Sequence, residues 1–468
     1  MSVRQRWFIV ALLVFSVSCA TAPNAQDPAP DSDVVAFVHA AVVPMDRERV
    51  LRDHTVVFER GTIVAIGPDS AVKVPPGALR IDATGRYLLP ALCDMHVHVE
   101  GESWFALLTP EAREASRELP FEDFLFPYVA HGVTTVQVMS GTPELLALRP
   151  RIDRGEVIAP RLILARMIDG PDKAWPPPLS TWVATADEAE AAVQHANADG
   201  YDMMKVYSFL SRETYDAVIA TAKGLDMDVV GHIPNALSVE YVVDSGQKLI
   251  AHTEEVAKHT HGDYSPERID YFAGRIADGN VWMTPTLVTT RAILETFADP
   301  DGHVPPAGTP YVGHAMQLGI RSFITDRLYR PTPPHVQTRI REDFEKFQKP
   351  LTKVFHEKGG QLMTGTDSLL PRLIGGFALH GELRELVAVG LTPYEALRTS
   401  TTVPYEFLGE SATGGSIELG KRPDVLLVDA NPLEDVSAAS KISGVFMRGR
   451  WLGKETIEQR MSAIAAPR

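Results

Sequence analysis

The amino-acid sequence predicts an α/β protein: a (β/α)8 TIM barrel with a small β-sandwich domain built from both chain ends. Three observations lead there. Between Leu89 and about Gly409, short apolar runs alternate with helix-like stretches, the rhythm of a barrel of parallel strands. Strand-like segments flank that span on both sides. Side chains able to bind a metal sit at or near the ends of the apolar runs, where a barrel gathers its catalytic groups.

The chain begins with an export signal, residues 1–19. Arg4 and Arg6 make a basic start, and the apolar run Trp7 to Val17 is too short to span a bilayer comfortably. Cys19 at its end resembles a bacterial lipoprotein processing site, which implies a lipid anchor and a periplasmic or outer-membrane address. Ser16-Val17-Ser18 is an imperfect lipobox, so cleavage near Ala20 or Ala22 and a free secreted protein is the rival reading. Residues 20–33 form a polar linker. Cys93 is then the one internal thiol, which leaves no internal disulfide and reads as a small buried hydrophobe.

Residues 34–88 read as the first part of the sandwich. Thr55 to Phe58 and Thr62 to Gly67, joined by Glu59-Arg60-Gly61, predict a hairpin. The barrel, residues 89–409, takes its eight strands from Tyr87 to Leu92, Gly132 to Ser140, Pro160 to Ala165, Tyr201 to Tyr207, Asp228 to Ile233, Lys248 to His252, Val281 to Leu287 and Gln361 to Thr366. Amphipathic helices lie between, as at Asp187 to Asp199 and Arg212 to Gly224. Residues 288–351 exceed any ordinary connection and predict a helical insertion that covers the barrel mouth. Residues 410–455 return to strands at Ser416 to Leu419, Asp424 to Val428 and Ser443 to Arg448, completing the sandwich before a tail at 456–468.

The chemistry sits at the strand ends. His96 and His98 are two apart, so on a strand they face the same side and reach one ion. Lys205 lies near the end of the fourth run and His232 of the fifth, His252 ends the sixth, and Asp367 follows the eighth. Any one of these alone is the mark of a satisfied core residue. All of them on the strands of one barrel point to a metal site. Nitrogen and oxygen ligands with an open position suit Zn2+.

The segments YLLPALCDMHVH, AHGVTTVQVMSG, GHIP, IAHTEE, MTPTL, GTDS and GGSIELGKRPDVLLVDANPLED together resemble the metal-dependent amidohydrolase superfamily. Within it they resemble the imidazolonepropionase-like and Xaa-Pro dipeptidase-like branch. The resemblance implies that His96, His98, His232, His252 and Asp367 are metal ligands. It also implies that Lys205 is carboxylated and bridges two Zn2+ ions. Charge counting agrees: a carbamate, an aspartate and a hydroxide against two dications leave a small positive residue, suited to an oxyanion. Asp367, Lys205 and His252 then carry catalysis, with Asp367 moving a proton from the attacking water to the leaving amine. Expected substrate contacts are Tyr207 as a carbonyl donor, His380 at the mouth, Glu255 (with Glu254) toward an amine or a ligand, and Arg166. Trp175 to Pro178 is expected to wall the mouth.

Two positions depart from the pattern. Ala91 stands where glycine is usual, and Pro234 stands where several dipeptidases of the branch carry a tyrosine. The expected activity is hydrolysis of an amide-like C–N bond in a dipeptide or N-acyl amino acid. Rival readings are a lactonase, phosphotriesterase or bulky-amide (mycotoxin-type) hydrolase, a mononuclear variant, and a surface binding protein that has lost its chemistry. With 45% hydrophobic and 22% charged residues, the chain has material for a large core. A net charge of −15 argues against nucleic acid and anionic membrane surfaces, leaving a small-molecule substrate as the partner. The sequence leaves a homo-oligomer open.

Overall fold

The computed structural model describes residues 33–99, 122–171, 175–312, 320–368 and 370–465. The segment expected to be an export signal, with Cys19 and the expected linker to residue 32, and the last three residues lie outside the described residues. Among the described residues no helix is long and apolar enough to cross a membrane.

The first sheet opens with β1 (Val34–Val42), β2 (Leu51–Glu59), β3 (Thr62–Pro68), β4 (Leu79–Asp82) and β5 (Tyr87–Pro90). β2 and β3 form the expected hairpin. Its turn residues Arg60 and Gly61 both take positive φ, 46° and 79°, the twist that a two-residue hairpin favours.

The run expected as one barrel strand divides at Ala91. Tyr87–Pro90 pairs with β1 in the first sheet, and the barrel starts with β6 (Leu92–Val97). β7 (Val133–Val138) and β8 (Arg161–Asp169) follow, with β9 (Thr181–Trp182) paired to the end of β8. Then come β10 (Met203–Val206), β11 (Asp228–Gly231), β12 (Leu249–Ala251) and β13 (Trp282–Thr284), all parallel. The helices predicted between them are present at Ala186–Asp199 and Arg212–Gly224. The first has a full capping box on Thr185, and Ser211 caps the second.

Seven strands follow one another around the barrel, and residues 361–368 complete it without forming a regular strand. The ladder is nonetheless present. Met283 N donates to Gln361 O, Met363 N to Met283 O, Met95 N to Thr364 O, and His98 N to Ser368 O. Gly365 explains part of the tightness here, because a Cβ at that position would lie 2.7 Å from His96 Cβ.

The chain returns to the first sheet through β14 (Val425–Val428), β15 (Ile442–Met447) and β16 (Arg450–Gly453). The order is β16-β15-β14-β5-β1-β2-β3, with β4 on the side of β1. Although β2 and β15 are far apart in that order, their Phe58 and Phe446 rings are 4.7 Å apart, and Phe37 of β1 meets Trp451 of β16 at 5.3 Å. The sheet therefore curls over an aromatic core of its own, as a sandwich does. Two expectations change. Ser416 to Leu419 runs as irregular chain, with Ile417 N bonded to Pro44 O. Most of the expected tail is a helix, Lys454–Ala465, that buries Ile457 and Met461.

Candidate metal centre

Every residue expected to bind metal lies at the same end of the barrel. His96 sits inside β6 and is fully buried. His98 is one residue past the strand end. Lys205, on β10, is 1% exposed although it is a lysine. His232 and His252 follow β11 and β12 directly, and Asp367 ends the irregular eighth element. His252 and Asp367 take φ of 67° and 52°, a costly conformation for such side chains that clusters at functional sites. At Gly231 φ is 123°, and a Cβ there would lie 2.3 Å from Val206 O. Only glycine lets β11 approach β10 this closely and bring His232 beside Lys205.

These groups converge. Asp367 Oδ1 lies 3.2 Å from His96 Nε2 and 3.1 Å from His98 Nε2. The His96 and His252 rings are 4.4 Å apart, and those of His232 and His252 5.1 Å. Ligand atoms of His96, His252 and Asp367 all fall within 4.8 Å of one another, close enough to share one ion.

The outward nitrogens are held by protein. His98 Nδ1 meets Ser140 Oγ at 2.9 Å, His252 Nδ1 meets Thr286 Oγ1 at 2.7 Å, and His232 Nδ1 lies 3.1 Å from both Ser208 Oγ and Glu255 Oε1. Such outer contacts leave Nε2 as the ligating atom. No aligned hydrogen bond reaches either ring nitrogen of the buried His96, although Nε2 lies 3.2 Å from Asp367 Oδ1. A buried polar atom left this way is costly unless something binds it. Burial pushes the His96 imidazole down to about 3 and His232 to about 4, and lowers His252 well below its usual value. All three are therefore neutral at pH 7, the form that ligates. Burial would raise Asp367, but His252, His96 and His98 outweigh it and keep the carboxylate ionised. Neutral imidazoles, a carboxylate and orphaned nitrogens fit a divalent cation.

A cavity of about 240 Å3 opens above the centre. His98, Lys205, Tyr207, His232, His252, Glu254 and Asp367 form its floor and sides, with Met167, Trp175, Leu179, Ile293, Leu328, Tyr329 and Leu370 giving it apolar walls. Tyr329 and Leu328 lie in the span 288–351 and bring part of it to the cavity wall.

The other expected contacts divide. Tyr207 and Trp175 line the cavity. Glu255 lies behind His232, fully buried. Its carboxylate also accepts from Ile233 N at 3.3 Å and pairs with Lys258. Against the upward push of burial, His232 and Lys258 hold it ionised. Its neighbour Glu254 is the one that lines the cavity. Arg166 lies outside the lining and points across the strand instead, donating to Pro178 O at 2.7 Å, Gly141 O at 3.2 Å and Thr181 Oγ1 at 3.0 Å. His380 is also outside it, buried on the helix Phe377–Ala388 with Nε2 3.0 Å from His131 O. Sequence reasoning passed over Ser140, Ser208 and Thr286, the hydroxyls that hold the histidines. Ser140 and Thr286 lie inside runs already singled out and Ser208 one residue past another, each just beyond a strand end, which was the available signal. Cys93 is buried as expected, its thiol pushed up to about 12 by burial.

Residues 87–452 match the sequence model of the Amidohydrolase family. Adenine deaminase from Methanococcoides burtonii is 24% identical over 420 residues, covering 85% of this chain and 55% of its own length. Imidazolonepropionase from Geobacillus thermodenitrificans is 28% identical over 145 residues, covering 23% of this chain and 34% of its own length. The chain spans only 13% of the adenine deaminase from Ruegeria sp., at 33% identity over 94 residues. Among solved structures, a Xaa-Pro dipeptidase with bound methionine aligns at TM-score 0.69 and 20% identity, covering 90% of this chain and 100% of that one. The ochratoxinase of A. niger aligns at TM-score 0.66 and 16% identity, covering 90% and 95%. At these identities the structures speak for the fold.

Proposed function

We infer, from the premise that the chain belongs to the amidohydrolase family, that it is a metal-dependent hydrolase of an amide-like C–N bond. One observation carries this: the buried imidazoles of His96, His232 and His252 converge with Asp367, the outward nitrogens of His98, His232 and His252 are held by protein, and His96 Nδ1 has no partner. In this reading His96, His98, His232, His252, Asp367 and a carboxylated Lys205 would hold two zinc ions. When bound, the ions supply an activated water and polarise the carbonyl. Asp367 receives the proton of the attacking water and returns it to the leaving nitrogen. Glu255 keeps His232 in its ligating tautomer, and the apolar walls exclude bulk water. The apolar lining, with Glu254 as a further acid, fits a dipeptide or N-acyl amino acid with a bulky side chain. The leader is read as directing export, with Cys19 lipidated. Membrane fractionation of the wild type and Cys19→Ala tests this, and an unchanged distribution refutes the anchor.

The test is metal analysis with turnover of dipeptides, N-acyl amino acids, lactones and phosphotriesters. Amides should turn over fastest, and Asp367→Asn should lower kcat by about 10³-fold or more. Metal-free wild type with no turnover, or undiminished activity in Asp367→Asn, overturns the reading. Lactones turning over fastest selects the rival ester hydrolase.

A further inference from the structure

Resting on that hydrolase reading, we propose that Tyr207 is a catalytic residue whose phenol O–H donates to the oxygen of the scissile carbonyl, and that Trp175 is the positioning residue that aims it. An amide oxygen gains charge as water attacks, so a donor fixed in advance at that oxygen lowers the barrier. The cavity offers hydroxyls, and their hydrogen bonds sort them. Thr289 Oγ1 already donates to Thr366 O at 3.0 Å, and Thr290 Oγ1 to Gln348 Oε1 at 2.9 Å. Ser140 and Thr286 sit against the outward Nδ1 atoms of His98 and His252, on the side of those rings away from the ligating Nε2. Two phenols remain, Tyr207 and Tyr329.

Tyr207 is the one with a direction. Trp175 Nε1 donates to Tyr207 Oη at 3.2 Å. An indole N–H is a donor only, so this bond occupies a lone pair of the phenol oxygen and leaves the phenol proton to be given elsewhere. The Tyr207 ring lies against His232, centroids 4.1 Å apart, which holds it at the floor of the cavity. A phenol keeps its proton at neutral pH and so has one to give. Tyr329 belongs to the insertion and packs its ring on Phe297 at 5.8 Å, at the wall of the cavity.

Trp175 is itself held. Trp182 Nε1 donates to Trp175 O at 2.7 Å. Arg166 fastens the same loop through Pro178 O and Thr181 Oγ1. This gives Arg166 a purpose although it never reaches the cavity: it fixes the loop that aims Tyr207.

The step balances without proton loss from tyrosine. The water oxygen bonds to the carbonyl carbon, and the C=O π pair moves onto oxygen, where the Tyr207 O–H stabilises it. That pair then reforms the carbonyl as the C–N bond breaks, and the nitrogen takes its proton from Asp367.

The test uses the full-length metal-loaded protein and the fastest amide in the panel above. Tyr207→Phe should lower kcat by about 10²–10³-fold, with metal content and KM little changed. Trp175→Phe should lower kcat about tenfold. The double variant should be no slower than Tyr207→Phe, because Trp175 acts only through Tyr207. Wild-type kcat in Tyr207→Phe, fully additive losses, or a loss that falls on Tyr329→Phe instead overturns the proposal while leaving the hydrolase intact. A wild type that turns over no amide fails the hydrolase reading first.

Discussion

At the scale of single residues, the site combines ligands with the groups that orient them. Glu255 is the clearest orienting group. It is fully buried and joins His232 Nδ1, Ile233 N and Lys258 at once. Glu255→Gln keeps the shape but offers a donor where His232 needs an acceptor. Metal affinity should fall about 10- to 100-fold with the fold intact, measured by competition with a chelator. An unchanged affinity would mean that Ser208 alone fixes the tautomer. The convergence of the proposed ligands was legible in the sequence because each is polar at or near the end of an apolar run, and strand periodicity alone pairs His96 with His98. Arg166 and His380 were misread because sequence position gives the strand or helix but not the direction of a long or buried side chain. Glu254 and Glu255 are adjacent and both pair with Lys258, yet only Glu254 lines the cavity while Glu255 sits behind His232, a difference that sequence position does not reveal.

At the scale of elements, β10 and β11 bring Lys205 and His232 together through a contact that tolerates no side chain at Gly231. Gly231→Ala must both take a positive φ and push on the Val206 carbonyl. It should cost about 3 kcal/mol or more, read from the urea midpoint, and weaken metal binding with it. A variant as stable as the wild type would mean that the strands part at little cost. Strand and helix rhythm was readable for most of the barrel. The eighth element was less so, because residues 361–368 carry the ladder through irregular backbone that forms tight contacts with His96. The division of Tyr87–Leu92 at Ala91 was hidden too: an apolar run buried on both faces looks the same whichever sheet it joins.

At the scale of the whole molecule, the insertion and both ends of the chain close around the barrel. Tyr329 and Leu328 reach the cavity from far along the sequence, and no local pattern marks them. Charge also acts at this scale. Burial depresses His96, His232, His252 and His380, so these bind protons more readily unfolded than folded. Their contribution is full above pH 6.5 and is lost as pH falls toward 3–4. Asp94 and Glu382, raised by burial to about 7 and about 8, act in the opposite sense between pH 4 and those values. His131 and His259 are lowered in the same way, and Asp169, Glu254 and Asp424 raised, so the shifted imidazoles still outnumber the carboxyls and unfolding near pH 5 takes up protons on balance. The metal-free protein should therefore lose stability from pH 6.5 to pH 4 in denaturant titrations. Stability that is flat or rising over that window would contradict the neutral buried histidines.

The central claim is that this cluster holds catalytic metal. Stripping the protein with a chelator, then adding zinc while measuring bound metal per chain and amide hydrolysis together, tests it most directly. Activity should vanish on stripping and return in step with metal bound, reaching its full value at two ions per chain. Hydrolysis that persists in the stripped protein, or metal that binds without restoring it, would contradict the claim.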